Sequence, residues 1–337
     1  MAVFTTIDDP SAYFKVQLWT GDGNGSRAIA FDDTDTTMSP SLVWIKARSF
    51  SENHELYDST RGVQKRVMSN DTGAEETRSQ GLLAFSSDGF TVGTSDGVNK
   101  NTETYVAWCW KESATAGFDI VTYTGSGSAK TESHSLSAVP EFIAVKTRSE
   151  TGHWRVYHGS NTSAPETDAL ILNENDATYD LDTYWNDTAP TSSVFSVGTH
   201  DQTNKNTVTY VSYLWRSIPG VSKFTSYQGT SSTDGSFIYC GFSPKFIMVK
   251  KSSESASANW LILDNKRDTY NPRDSHVDAD NSDAESSGTW VYCDFLSNGF
   301  KWRANDETHN ESGSTYIVMA FADSPLVNSK GVPNNAQ

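Results

Sequence analysis

Cysteine is scarce in this chain: Cys109, Cys240 and Cys293 are the only three in 337 residues. An odd count without paired spacing excludes a disulfide framework and the usual zinc motifs. Each lies in an apolar or aromatic run, where a thiol behaves as a small hydrophobe, and a reducing cytoplasm suits it as the place of synthesis. Basic residues are also few. With 26 Lys and Arg against 42 Asp and Glu, the net charge is −16. That balance argues against nucleic-acid binding, which needs cations against phosphate, and disfavours anionic membranes. No apolar run approaches the roughly 20 residues of a membrane span, so no membrane insertion is expected. The opening "MAVFTTIDDP" has neither the basic region nor the apolar stretch of a secretory signal.

Catalytic signatures are missing as well. There is no G-x-S-x-G elbow and no H-E-x-x-H, and the seven histidines are scattered. "TGDGNGSR" is rich in glycine, but no βαβ unit surrounds it, so it reads as a strand connection. "DADNSDAESSGT", from Asp278, has Asp283 where a calcium loop needs Gly and Thr289 where it needs Glu. "DDTDTT" at Asp32 offers oxygen ligands, but a solvated turn is the simpler reading. No metal, cofactor or enzyme activity is assigned.

What is present is a repeat. "NKNTETYVAWCWK" from Asn99 returns as "NKNTVTYVSYLWR" from Asn204 and, more faintly, as "NESGSTYIVMAFA" from Asn310. Other anchors keep step. Gly21, Gly125 and Gly229 are 104 residues apart both times. Pro40, Pro140 and Pro244 each stand at the expected entrance of an apolar strand, six positions before a lysine (Lys46, Lys146, Lys250). Phe90, Phe195 and Phe300 recur every 105 residues, and Tyr105, Tyr210 and Tyr316 each follow an Asn by six. Self-similarity at a fixed period is the mark of a structural array.

Each anchor reads as a strand. In "YVAWCW" one face carries Val106, Trp108 and Trp110 and the other Tyr105, Ala107 and Cys109. A strand apolar on both faces is buried on both sides or packed hard against a neighbour. "SSDGF" and "LSNGF" are hairpin signals, and helical periodicity is almost absent. The expected fold is all-β: three tandem antiparallel β-sandwich, jelly-roll-like repeats of about 105 residues, over 15–112, 117–217 and 222–323. Residues 1–14 form an N-terminal attachment arm carrying Val3, Phe4 and Ile7, and 324–337 a C-terminal tail. The lysines are expected at strand ends, reaching solvent or a carboxylate.

Without a catalytic constellation, surface recognition remains. Trp154 lies beside His153 and Arg155 with His158 close by, and Trp185 lies beside "NDT". An exposed tryptophan among polar groups offers a platform for a sugar or a protein partner. Trp154, His158 and Trp185 are therefore the candidate ligand-binding residues. Trp154, Trp260 and Trp290 also lie on strand patterns, where a core position is the competing reading.

"MAVFTTIDDPSAYF", "LVWIK", "YDSTRGVQK", "SSDGFTVG" and "NTETYVAWCWK" resemble repeat proteins common in marine bacteriophages, especially those of cyanobacteria. These are usually described as tail-fibre-like or virion structural proteins. The resemblance is strongest over 1–215 and weaker to about 323, and its motifs hold strand and turn residues but no catalytic ones. It implies a virion component assembled in the host cytoplasm and present in several copies per particle, with homo-oligomers among the possibilities. Its partners would be other virion proteins and a host-surface saccharide. Two functions follow: a tail-fibre-like adhesin for host attachment, or a capsid or tail decoration protein.

Overall fold

In a computed structural model of the chain, residues 5–33, 36–253 and 258–333 are described. Three antiparallel sheets carry the anchors. The first runs, in spatial order, Phe14–Thr20, Thr104–Trp110, Leu42–Ala47 and Glu55–Asp58. The second runs Phe118–Thr124, Thr209–Trp215, Phe142–Thr147 and Arg155–His158 in the same order. The third runs Ser222–Gln228, Thr315–Pro325, Phe242–Lys251 and Leu261–Asp264, then adds Ser275–Asp278 and Ser286–Ser287. The all-β expectation is met, and the helices are single turns such as Asp96–Asn99 and Asp201–Asn204. Among the described residues no helix is long and apolar enough to cross a membrane.

The recurring Asn and Tyr are local clamps. The hydroxyls of Tyr105, Tyr210 and Tyr316 accept from the amides of Lys100, Lys205 and Glu311 and donate to the carbonyls of Asp96, Asp201 and Glu307. Each ring stacks on the edge-strand aromatic opposite it, Trp19, Tyr123 or Tyr227, at 5.3, 4.9 and 5.1 Å. The buried amides of Asn99, Asn204 and Asn310 accept from the amides of Asp22, Ser126 and Thr230. They draw in the loop that begins at the anchor glycine. A Cβ on Gly21, Gly125 or Gly229 would lie 2.0, 2.1 or 2.2 Å from a carbonyl oxygen of the Asn-bearing turn, so only glycine fits.

Each sheet has two buried faces with different partners. The smaller face packs on a second layer, giving the sandwich. Arg27–Ala30, Gly89–Val92 and Leu82–Ser86 cover the first sheet, Lys130–Ser133 with Val194–Val197 the second, and Phe237–Tyr239, Gly299–Trp302 and Cys293–Leu296 the third. Both expected hairpins form, with Ser86 pairing Gly89 and Leu296 pairing Gly299. The bulkier faces of all three sheets meet in one core. There Trp110 packs on Trp215 at 5.8 Å, Phe14 on Phe321 at 4.8 Å, and Phe142 on Phe224 at 5.9 Å.

The sheets are also joined polarly. Between the first and second, Tyr213 donates to Asp58, Arg61 binds Asp58 and Glu75, and Arg148 binds Glu75. Between the third and first, Trp108 donates to Asp264, Arg267 binds Asp264 and Glu285, and Arg48 binds Glu285. Between the second and third no side-chain ion pair is seen among the described residues, and apart from the Lys250 ammonium on the Asn175 carbonyl the groups are neutral. His158 Nε2 faces the Val318 carbonyl at 3.1 Å, and Thr178 bridges Asn161 Oδ1 and the Ser252 carbonyl.

Three expectations need correction. The lysines reach neither solvent nor a carboxylate: Lys46, Lys146 and Lys250 are fully buried. Their ammonium groups donate to backbone carbonyls at the sheet junctions, on Ala47 and Ser282, on Thr72 and Gly152, and on Asn175 and Ala258. Pro244 does not stand at a strand entrance. It lies inside Phe242–Lys251 at a register shift, where its missing N–H costs no ladder bond. Finally, Ile7 is not a free anchor. It is buried against Ala116, Ile218 and Val221, while Asp8 binds Ser329 and Asp9 caps the turn Pro10–Ala12. Val3 and Phe4 lie outside the described residues.

Candidate functional site

Trp154, His158 and Trp185 are all buried, so none presents a platform to a ligand. Each indole finds a carbonyl inside: Trp154 Nε1 donates to Met68 O at 2.7 Å and Trp185 Nε1 to Asp168 O at 2.9 Å. Trp260 does likewise to Ile171 O. His158 accepts from the Ser160 amide at Nδ1 and so carries its proton on Nε2, toward Val318 O. Burial holds its pKa down to about 4. The polar neighbours that suggested exposure do point outward: Asn186 and Asp187 take positive φ and turn the chain away, leaving Trp185 inside. Trp290 does reach the surface, with its ring 4.6 Å from that of His276.

A cleft of about 820 Å³ belongs to the third segment. The stretch 265–273 forms one wall, the hairpin turn at Leu296 and Ser297 another, and the strand ends at Ser243, Asp323 and Ser324 the floor. Its construction is specific. The Asn271 amide grips the Phe295 backbone, donating to O at 2.8 Å and accepting from N at 3.0 Å. The Arg273 guanidinium lies 4.6 Å from the Phe295 ring centroid, and Lys245 pairs with Asp323 at 3.1 Å. These contacts hold the wall while Tyr270, 82% exposed, stands at the mouth.

An exposed phenol ring over a cleft of serine hydroxyls, two asparagines and a carboxylate suits a hydroxylated ligand: the ring face takes C–H groups and the oxygens take hydroxyls. The cleft holds no paired nucleophile and base. The cysteines are buried elsewhere, and burial raises each thiol, Cys240 to about 12, which removes the thiolate. Among the described residues no three His, Cys, Asp or Glu side chains group as metal ligands.

Tyr270 was missed from sequence because it lies in extra chain: Asp264–Arg267 repeats Asp58–Arg61 with the same Asp–Arg pairing, but the chain then runs longer before Val277 than it does before the equivalent Val67. The stretch "DTYNPRD" reads as an ordinary polar turn.

Residues 9–325 match the family model described as Domain of unknown function (DUF7483), and the chain belongs to that family. No curated protein matches it significantly.

Proposed function

We propose that this member of the family is a non-enzymatic bacteriophage virion protein, a tail-fibre-like receptor-binding component whose third-segment cleft takes a host-surface saccharide. The observation that carries the reading is the cleft itself, with its exposed Tyr270 and braced polar wall. The resemblance to marine phage repeat proteins supports the virion setting. Several copies on one particle would turn weak single-site binding into firm adsorption through effective concentration.

The test is binding of the purified protein to host surface polysaccharide and to a glycan array, comparing wild type with Tyr270→Ala. Tyr270 is too exposed for its loss to disturb the core, so the variant should fold and bind about tenfold or more weakly. A wild type that binds no surface glycan, yet is found on particles by immunogold labelling, would replace this reading with a capsid or tail decoration role. Locking of the three sheets around one core, a rigid block rather than a shaft, favours that second role. Turnover of the polysaccharide would overturn both.

A further inference from the structure

We propose that the second segment carries a separate binding site for a sugar carboxylate, centred on Arg155. A cavity of about 390 Å³ is lined by this side chain together with His153, Glu174, Asp176, Tyr179 and Tyr184. Arg155 is 6% exposed, and its Nε and Nη1 are buried without a hydrogen-bond partner. The Tyr184 ring lies 4.7 Å from the guanidinium and supplies a π face but no acceptor there. A buried cation left without acceptors is costly unless something completes it.

The first sheet provides an internal comparison. Glu55 opens the strand Glu55–Asp58, as Arg155 opens Arg155–His158. Glu55 is paired with Arg66, and Arg66 with Glu76. The bridges Leu56–Val67 and Val156–Leu170 align the two segments, and the pairings Arg66–Glu76 and Ala169–Tyr179 extend the alignment. Ala169 and Tyr179 therefore stand where the first segment has Arg66 and Glu76. The ion-paired Glu55–Arg66–Glu76 chain has given way to one arginine facing a small residue and a cavity.

The rim decides the ligand class. Glu174 and Asp176 oppose a dianion such as phosphate more strongly than a monoanion. Their oxygens can accept from sugar hydroxyls, and Tyr179, 42% exposed, offers a ring face for a pyranose. A planar carboxylate matches the fork of a guanidinium. The class that fits all three features is a uronic acid.

The experiment uses the full chain and reads thermal shift and titration calorimetry with glucuronate, glucose, acetate and inorganic phosphate. Glucuronate should bind and raise the melting temperature, while glucose, acetate and phosphate at equal concentration do neither. Arg155→Met removes an unpaired buried charge while keeping bulk, so it should fold and lose about tenfold or more in affinity. Tyr179→Ala, at the rim, should weaken binding without affecting the fold and serves if the methionine variant fails. Tyr270→Ala should bind glucuronate as wild type does, so this site and the third-segment cleft stand or fall separately. No binding of glucuronate, equal binding of glucose, acetate or phosphate, or undiminished binding by Arg155→Met would overturn the proposal.

Discussion

At the scale of single residues, the three lysines show how the chain uses a charge without exposing it. Lys46, Lys146 and Lys250 each end the same short apolar run, and each donates to carbonyls of its own segment and of an adjoining one. Desolvation holds all three down to about 8. Because the folded pKa lies below the unfolded value near 10.4, the unfolded chain binds more protons between those limits. Wild-type stability therefore gains as pH rises from about 8 toward 10, by up to about 1.4 kcal/mol per pH unit for each lysine. The gain is isolated by comparison with Lys146→Met, since tyrosines and cysteines titrate alike in both proteins. The stability difference, wild type minus variant, should grow across that window in denaturant unfolding. A difference flat with pH would mean that Lys146 is not held at a depressed pKa.

At the scale of elements, the stretch from Thr5 to Tyr13 is a latch on the chain's own body. Ile7 fills a small cluster with Ala116, Ile218 and Val221, contributed by the connections between segments. The Asp8 carboxylate holds Ser329 from the far end of the chain. Removing residues 1–10 should therefore lower the melting temperature, and Ile7→Ala alone should cost about 2 kcal/mol or more in urea unfolding. An unchanged midpoint for the truncated protein would return this stretch to the role of an outward attachment arm. The case also marks what was legible from sequence. An apolar residue in a polar terminus says that it will be buried, but not against what. The same limit applies to Trp154: its strand was readable, yet the Met68 carbonyl that receives its indole lies 86 positions away. Features closed within one segment, such as the Asn–Tyr clamp and the glycine under it, left a direct mark because each copy repeats them. The third-segment cleft left none, because the extra chain in its wall has no counterpart to compare.

At the scale of the whole molecule, the shared core changes what a segment is. A sandwich with its own second layer looks self-sufficient, and the residues 117–217 were expected to be one domain. Yet the second sheet also turns Phe118, Ile120, Phe142, Trp154, Val156, Tyr213 and Trp215 toward the other two. At about 1.5 kcal/mol or more per large apolar side chain, exposing that face costs on the order of 10 kcal/mol, comparable with the net stability of an ordinary domain. The junction chemistry works in the same direction: isolation would leave His158 without Val318, Trp154 without Met68 and Arg148 without Glu75. The three segments should thus unfold together, as one calorimetric transition, and residues 117–217 expressed alone should fail to give a cooperative melt. Acid should weaken the assembly through His54 and His158, which burial keeps neutral across two junctions, the latter with a pKa of about 4. An unfolded histidine titrates near 6.5, so stability from these groups falls as pH drops from about 6.5 toward 4. Glu112 and Asp280, both raised to about 7, oppose that trend, so the comparison is with His158→Gln, which keeps a neutral donor. That variant should lose less stability between pH 6.5 and 4.5 than wild type does. A cooperative melt from the isolated segment would mean that the common core is a contact between finished domains rather than the element that completes them.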